Sequence, residues 1–251
     1  MLNLINTNKP HISIVLCTYN EEAAIKNTIE QIFKHNSNCE IVLVDDNSTD
    51  DTVKIANQFT DERIQIIERK KRGLASAAFT GLIFAKSDIL CWIDSNLPDL
   101  ASKIPIMIKN LSEDSIVVMS RYVKGGDDKR SKKRILTSKL INLVCRVILG
   151  NEIKDYTSGI FVMNKTIFKK ILPIPYGHGE YFIEFLYQAK KNGCKIIELP
   201  YEQPADLEGM SKTASSLLRF LRVGINYFIR INFNACAFIL YQFFKIFFKN
   251  F

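Results

Sequence analysis

The sequence predicts an α/β fold in which a mostly parallel sheet is covered by helices on both faces. Short, almost fully apolar segments alternate with segments whose apolar residues recur at helical spacing. The apolar segments lack the alternation of polar and apolar residues that a strand with one solvent-exposed face shows, which indicates strands buried on both sides. With 251 residues and 47% hydrophobic content, the chain is long enough to bury a large core as one domain with an appendage.

The predicted elements repeat a strand, loop and helix unit. The first strand, ISIVLC at residues 12–17, leads through TYNEE into a helix with apolar positions at Ile25, Ile29 and Ile32. The remaining strands are predicted at 40–46, 63–68, 88–94, 115–120, 159–164 and 195–200. The remaining helices are predicted within 48–59 and over 73–85, 100–111, 134–149 and 180–192.

Polar clusters follow three of the predicted strands, at the sheet edge where parallel α/β proteins bind ligands. In TYNEE, Tyr19 can stack on a base and Glu21 can accept a hydrogen bond, although a connection capped at Asn20 is an open alternative. In VLVDDNSTDDT, we expect Asp45 to be structural and Asp46 to reach a base. Asp94 and Asn96 offer the hard oxygen ligands that Mg²⁺ or Mn²⁺ prefers beside a diphosphate.

Basic residues form a second kind of candidate site. Lysine and arginine number 34 against 26 acids, giving a net charge of +8, and the excess lies between residues 124 and 154 and beyond residue 209. Cations converging on one cleft would bind phosphates, and ordinary solvated lysines are the alternative. The candidates are Arg121, Arg134, Lys139 and Lys212.

Other features exclude several classes of protein. The basic block lacks interleaved aromatic residues, so we expect no nucleic acid partner. The six cysteines are scattered without a CxxC pair, which favours reduced core residues. No charged segment followed by a long apolar run opens the chain, and we therefore expect a cytoplasmic location.

The motifs together resemble glycosyltransferase family 2. In order along residues 12–220 they are T-Y-N-E, V-D-D-x-S, D-S-N, S-R-Y, DYTSGIFVMNK and G-x-S-K, and the similarity is strongest to polyprenyl-phosphate glycosyltransferases such as dolichyl-phosphate mannose synthases. The resemblance implies a GT-A (nucleotide-diphospho-sugar transferase, Rossmann-like) domain over residues 1–213 that transfers a mannose- or glucose-type sugar with inversion. The implied donor is a GDP- or UDP-sugar, and the implied acceptor is a polyprenyl phosphate.

The resemblance also assigns roles to residues. It implies that Asp94 binds metal and diphosphate, and that Arg121 and Arg134 are catalytic. The residues implied to bind the nucleotide-sugar are Cys17, Tyr19, Glu21, Val44, Asp46, Ser95, Asn96, Asp206 and Lys212. The residues implied to bind the acceptor phosphate are Arg121, Arg134, Lys139 and Ser158.

The sequence departs from the family pattern at the metal motif. Where the family has Asp-x-Asp-x-Gln, this chain has an amide at Asn96 and Pro98 in place of the last ligand. An amide oxygen brings no charge, so we expect weaker metal binding, and we hypothesise that Asp206 or Glu208 restores the missing charge. The loss leaves a non-catalytic homologue that binds nucleotide-sugars as an alternative. A family 2 enzyme acting on a glycan or protein acceptor is another.

Residues 214–251 are predicted to be amphipathic helices at a membrane surface. Polar residues recur there at three- and four-residue steps against a broad apolar face, and the longest uncharged run, residues 231–244, is shorter than the roughly 20 residues of a membrane span. The segment has basic residues and no acids, which favours contact with anionic lipid headgroups. We therefore expect peripheral attachment to a membrane. A core or dimer helix and a re-entrant hairpin are alternatives, and an oligomer remains compatible with the sequence.

Overall fold

The computed structural model describes residues 11–171 and 175–205, together with residue 229. Within them, seven strands form one sheet in the order β3-β2-β1-β4-β7-β5-β8, and β6 pairs with β9 in a separate two-stranded ribbon. The strands are β1 Ile12–Thr18, β2 Cys39–Asp45, β3 Ile64–Glu68, β4 Ile89–Asp94, β5 Ser115–Ser120, β6 Asp127–Asp128, β7 Phe161–Asn164, β8 Lys195–Pro200 and β9 Glu202–Gln203. Strand β7 runs antiparallel to both of its neighbours, and every other pair in the large sheet is parallel. The predicted mostly parallel α/β fold is confirmed.

The helices connect and cover these strands. They are α1 Glu22–His35, α2 Thr52–Ala56, α3 Leu74–Phe84, α4 Ile104–Lys109, α5 Lys132–Leu149, α6 Lys165–Lys170 and α7 Glu180–Lys191. The single helix predicted over residues 100–111 is instead a 3₁₀ helix, Pro98–Lys103, followed by α4. Pro105 lies in the first turn of α4, and because proline donates no hydrogen bond it cannot continue an α-helix that begins several residues earlier.

The sheet is buried on both faces, as its apolar strands predicted. Alternate residues of β1 point to opposite sides, so that Val15 lies in one core and Ile14 and Leu16 lie in the other. The first core contains residues of α3, α5 and α7, whereas the second contains residues of α1, the 3₁₀ helix and α4. Within the part of the chain that is described, helices cover both faces of the sheet, so a ligand would bind at the strand ends.

Strand β1 marks the point where the strand order reverses. The chain passes from β1 to β2 and β3 on one side, and then returns to place β4 on the other side of β1. Connecting loops diverge at such a reversal and leave a crevice at the carboxyl ends of the strands. The polar clusters after β1, β2 and β4 all lie at this edge.

Candidate functional site

Three predicted residues lie in one row across the central strands. Cys17 pairs with Val44 of β2 on one side and with Asp94 of β4 on the other. Cys17 is partly buried, Val44 is fully buried and Asp94 is exposed to solvent. Burial raises the pKa of the Cys17 thiol, and the charges of Asp46 and Asp94 raise it further. The charges of both carboxylates therefore reach the Cys17 side chain.

Asp94 provides an open carboxylate at the end of β4. Desolvation by the surrounding protein raises its pKa, and the charges of Arg121, Arg130 and Arg134 lower it. The three guanidinium groups are therefore close enough to Asp94 to stabilise its charge. The strand end and the basic segment after β5, which the sequence predicted to meet, lie on the same side of the molecule.

The residues after Asp94 tie β4 to its neighbours. The Ser95 hydroxyl donates to the Cys17 carbonyl at 2.9 Å, and the Thr28 hydroxyl of α1 donates to the Ser95 carbonyl at 2.7 Å. Ser95 is thus buried and holds the turn in place, whereas Asn96 is partly exposed. Asn96, two residues after Asp94, therefore keeps some solvent access, as a ligand to a bound group requires.

The described residues contain no cluster of three or more histidine, cysteine or acidic side chains arranged for a metal ion. Asp94 and the Asn96 amide are the oxygen donors available at the strand end. Mg²⁺ is commonly held by one or two carboxylates together with substrate phosphates and water, so this donor set fits an ion that arrives with a diphosphate. It does not fit a preformed cage.

The loops after β1 and β2 lock together through Asn20. The Thr49 backbone N–H donates to the Asn20 side-chain oxygen at 2.8 Å, and Asn20 itself has a φ of 53°. The alternative in which Asn20 caps α1 is wrong, because the helix begins at Glu22 and Glu21 occupies the capping position. Asparagine tolerates the left-handed region better than most residues, which explains its place in this turn.

Tyr19 and Glu21 lie beside these loops. The Arg72 guanidinium stacks 3.6 Å from the centre of the Tyr19 ring and also hydrogen bonds to the Tyr19 hydroxyl. Glu21 is buried, and its backbone N–H donates to the Thr52 hydroxyl at 2.7 Å. The two residues are therefore held by contacts to the segments that follow β2 and β3.

The two aspartates at the end of β2 have different environments. Asp45 is buried and accepts hydrogen bonds from the Thr18 hydroxyl at 2.8 Å and from the Ser48 backbone at 2.8 Å, so it is structural, as predicted. Asp46 accepts from the Gly73 N–H at 2.7 Å and lies 3.2 Å from Arg69.

The Asp46 carboxylate retains capacity for a further partner. Desolvation raises its pKa, and the Gly73 hydrogen bond and the Arg69 charge lower it only in part. Its Oδ1 atom is buried 3.2 Å from Arg69 Nε, and among the described residues it accepts no hydrogen bond. A buried carboxylate oxygen of this kind is stabilised when a donor group binds to it.

Arg121 lies in a buried network and not in open solvent. Its Nε and Nη2 atoms donate to the two oxygens of Asp155 at 2.7 Å each, and Nη2 also donates to the Thr157 hydroxyl at 2.7 Å. Burial acts to raise the pKa of Asp155, but the charge and hydrogen bonds of Arg121 outweigh it and hold the pKa below its usual range. Arg121 is therefore fixed in orientation while its charge still acts on Asp94.

The remaining predicted acceptor residues are dispersed. Arg134 lies in the first turn of α5, and its charge lowers the pKa of Asp94. Lys139 is exposed further along the same helix. The Ser158 hydroxyl donates to the Met119 carbonyl, which makes it part of the connection to β5. The structure thus brings Arg121 and Arg134 toward Asp94 and leaves Lys139 and Ser158 in other settings.

Three residues of the crevice escaped the sequence analysis. Arg130 is held by Asp128 through two hydrogen bonds of 2.8 and 2.6 Å and acts on Asp94. Tyr201 is buried, and its pKa is raised first by burial and then by the Asp94 charge. Arg69 pairs with Asp46. Arg130 stood in the basic block KRSKKR, where one arginine cannot be distinguished from the next without the fold.

Several predictions lie outside the described residues. These are the roles of Asp206, Glu208 and Lys212 and, apart from residue 229, the nature of residues 214–251. Among the helices of the part of the chain that is described, none has the length and apolar content needed to cross a bilayer.

Comparison with known proteins identifies the relatives of the chain. Residues 13–172 match the family described as Glycosyl transferase family 2. The chain is 31% identical over 226 residues to dolichol-phosphate mannosyltransferase of Pyrococcus furiosus, with 84% of this chain and 62% of that protein covered. It is 26% identical over 219 residues to polyprenol monophosphomannose synthase of Mycolicibacterium smegmatis, with 82% of each covered. The chain therefore spans less than two thirds of the first relative.

Solved structures show the same architecture. Glucosyl-3-phosphoglycerate synthase of Mycobacterium tuberculosis, in complex with Mn²⁺, uridine diphosphate and glucosyl-3-phosphoglycerate, superposes with a TM-score of 0.69 at 19% identity. The match covers 90% of this chain and 80% of that one. At this identity the similarity shows the fold alone, and it confirms the predicted GT-A fold.

Proposed function

We propose that this chain, which belongs to glycosyl transferase family 2, transfers a sugar from a nucleotide-diphospho-sugar to a polyprenyl phosphate at the cytoplasmic face of a membrane. The observation that carries the proposal is the setting of Asp94, a carboxylate at the strand reversal whose pKa is lowered by the charges of Arg121, Arg130 and Arg134 against the effect of desolvation. Two phosphate-bearing substrates require such an excess of cations in one crevice. The names of the two relatives described above support a lipid phosphate as the acceptor.

The donor nucleoside is proposed to bind over the ends of β1, β2 and β3. Tyr19 supplies an aromatic surface. The Oδ1 atom of Asp46 lies 3.2 Å from Arg69 but makes no hydrogen bond, so it can accept one from a base N–H. Because the Gly73 N–H binds one oxygen of Asp46 and Arg69 lies 3.2 Å from the other, the carboxylate is already oriented before the donor binds. The diphosphate then extends along the strand ends toward Asp94.

The reaction needs few proton transfers from the protein. A phosphate oxygen of the acceptor is ionised at neutral pH and can attack the anomeric carbon directly, while the bond from that carbon to the diphosphate breaks. The diphosphate leaves with the electron pair, so negative charge grows on its oxygens. Arginines held in fixed positions, as Asp155 holds Arg121 and Asp128 holds Arg130, stabilise that charge without reorganising.

A divalent ion would be held by Asp94 and the Asn96 amide together with the donor phosphates. When bound, it would supply positive charge to the leaving diphosphate. Asn96→Asp adds a carboxylate at this position, and we expect it to lower the metal concentration needed for half-maximal transfer by about tenfold, since ligand charge tunes affinity. Titration with Mg²⁺ and Mn²⁺ measures the change, and an unchanged requirement would argue against Asn96 as a ligand.

A screen of donors and acceptors tests the proposed function. GDP- and UDP-sugars are each combined with a short polyprenyl phosphate in the presence of Mg²⁺, Mn²⁺ or a chelator, and the glycolipid product is measured. Transfer to the lipid phosphate supports the proposal. Transfer only to a glycan or protein would overturn the acceptor assignment.

The altered metal motif favours one second candidate, a homologue that binds nucleotide-sugars without turnover. One carboxylate, at Asp94, stands where the family pattern has two. Calorimetry distinguishes the two functions, because this candidate requires donor binding with neither hydrolysis nor transfer under any of the metal conditions.

A further inference from the structure

One short segment before β7 is held by two side chains from other elements. Glu198 of β8 accepts one hydrogen bond on each carboxylate oxygen, from the backbone N–H groups of Lys154 and Asp155 at 2.8 and 2.9 Å. Asn142 of α5 accepts a hydrogen bond from the next backbone N–H at 2.6 Å and donates to the Thr157 hydroxyl at 2.9 Å. Four consecutive residues are therefore fixed by a strand and a helix outside the segment.

Within this segment, the Asp155 carboxylate fixes both the backbone and the side chain of Arg121. One oxygen accepts from the Arg121 backbone N–H at 3.1 Å and from Nε at 2.7 Å, and the other accepts from Nη2 at 2.7 Å. The Arg121 side chain is 4% exposed, and its charge lowers the pKa of Asp94. The orientation of the guanidinium group therefore depends on where the backbone of Asp155 lies.

The place of Glu198 in the sheet suits it to set that backbone position. Strand β8 lies at the edge of the sheet, and its register puts Glu198 beside Val118 of β5. Strand β5 ends at the residue before Arg121. Glu198 thus joins the strand that leads into Arg121 to the segment that carries Asp155, and both of its acceptor oxygens are used in doing so.

We propose that Glu198 is a positioning residue for sugar transfer, which sets the orientation of Arg121 through the backbone of Asp155. The inference deepens the proposed function, on which it rests for the phosphate that Arg121 binds. Arginine binds phosphate through a planar fork, so two parallel hydrogen bonds form only when the fork has the correct orientation. A displacement of about 1 Å in such a group can lower a rate by about a hundredfold.

A role in stability alone is the alternative for Glu198. The side chain lies on an edge strand and is only partly buried, so water can enter in place of the carboxylate when it is removed. Arg121 and Asp155 are both buried by comparison. Substitution of Glu198 should therefore disturb the alignment of Arg121 more than it disturbs the fold.

Hydrogen exchange of the Arg121 side chain tests the orientation without depending on sugar transfer. In the full chain, with arginine enriched in heavy nitrogen, the Nε–H signal of Arg121 is identified by its loss in Arg121→Lys. We expect Glu198→Gln, which replaces one acceptor oxygen by an N–H donor, to speed the exchange of this proton by at least about tenfold. Equal exchange rates in Glu198→Gln and the unaltered chain would overturn the proposal.

The control for the exchange measurement is Glu152→Gln. Glu152 lies shortly before the same segment, but its side chain is 69% exposed and pairs with Lys190. We expect the exchange rate at Arg121 to stay unchanged in this variant. A rate raised as much as in Glu198→Gln would show that any change near the segment loosens Arg121, which contradicts a specific role for Glu198.

A double-mutant cycle with Arg121→Lys separates positioning from an independent effect on transfer. Lysine keeps the charge but cannot form the fork, so the alignment that Glu198 provides is already lost. We expect Glu198→Gln to lower kcat/KM for a short polyprenyl phosphate by about tenfold in the unaltered chain and by less than about twofold in Arg121→Lys. The KM for the nucleotide-sugar should not change, because the proposed nucleoside contacts lie over β1 to β3. The same loss in both backgrounds would refute the proposal.

A second variant and the exchange rates keep the test decisive. Glu198→Asp keeps the charge and both oxygens on a shorter side chain, and it takes the place of Glu198→Gln in both experiments if circular dichroism shows that the latter is unfolded. If the unaltered chain transfers no sugar with any metal, the proposed function fails. The exchange rates then decide by themselves whether Glu198 orients Arg121.

Discussion

At the scale of single residues, the chemistry of the crevice depends on a few carboxylates and the arginines around them. Asp94 is the carboxylate on which three arginines act, and Asp155 and Asp128 hold two of those arginines in place. The sequence indicated Asp94 because it ends an apolar strand, a local signal. It gave no sign of the Asp155 pairing, because the two partners are 34 residues apart and belong to two separate motifs.

Asp94→Asn should abolish most transfer while the fold survives. Losing the carboxylate removes the group that orients cations and would hold a metal, and we expect kcat to fall by about 10²–10³-fold. Desolvation raises the pKa of Asp94, so in the unaltered chain the charge is lost on acidification at a pH above that of an ordinary aspartate, near 3.9. Transfer should decline there. Pre-steady-state assays across pH measure both effects, with the exposed Asp99→Asn as control; full activity in Asp94→Asn would refute the role.

Asp155→Ala should destabilise the fold strongly. It removes the carboxylate that lies 2.7 Å from the buried Arg121 guanidinium and leaves Asp128 at 3.9 Å, and breaking a buried pair costs about 3–5 kcal/mol. Because the pKa of Asp155 is lowered in the folded chain, its stabilising contribution is complete above pH ~3.9 and disappears as pH falls through the depressed value. Urea unfolding at neutral and acidic pH tests this.

The control for Asp155 is Asp114→Ala. The Asp114 carboxylate is 75% exposed and 3.9 Å from Lys170, and an exposed pair of this kind contributes less than about 1 kcal/mol. Equal effects of the two substitutions would show that the Arg121 pairing is not the stabilising contact described here.

At the scale of elements, the spacing of apolar residues predicted the long and regular strands and helices. All seven strands of the large sheet lie within a few residues of their predicted positions, because each is an apolar run bounded by polar residues. The ribbon of β6 and β9 was missed, since two-residue strands have no period to detect. That ribbon joins the segment before Arg130 to the segment after β8, through the Asp127 N–H and the Tyr201 carbonyl at 3.0 Å.

Gly81→Ala tests the close packing of α3 on β1. In an open helix the change would stabilise by up to about 1 kcal/mol, but here the added methyl would overlap the Val15 side chain. We expect a net loss of about 1–3 kcal/mol in the free energy of unfolding, measured by denaturant titration. Combining it with Val15→Ala should recover part of the loss, because the second change makes room. A simple sum of the two losses would contradict the overlap.

At the scale of the whole molecule, the net charge of +8 predicts salt-sensitive attachment to lipid. The screening length falls from about 10 Å at 0.1 M salt to about 3 Å at 1 M, so flotation with anionic vesicles should weaken over this range. Zwitterionic vesicles serve as the control and should show little dependence on salt. Binding to anionic vesicles that is equally strong at both concentrations would mean that charge contributes nothing.

The sequence by itself determined the α/β class, the positions of the strands and the polar residues that end β1, β2 and β4, because these properties arise from neighbours along the chain. Only the tertiary structure decided that β1 lies between β2 and β4 and thereby aligns Val44, Cys17 and Asp94. It alone separated Arg130, whose charge lowers the pKa of Asp94, from Lys139, which is exposed to solvent further along α5. The reason is physical: charge interaction and burial depend on distance through space, which a one-dimensional pattern does not contain.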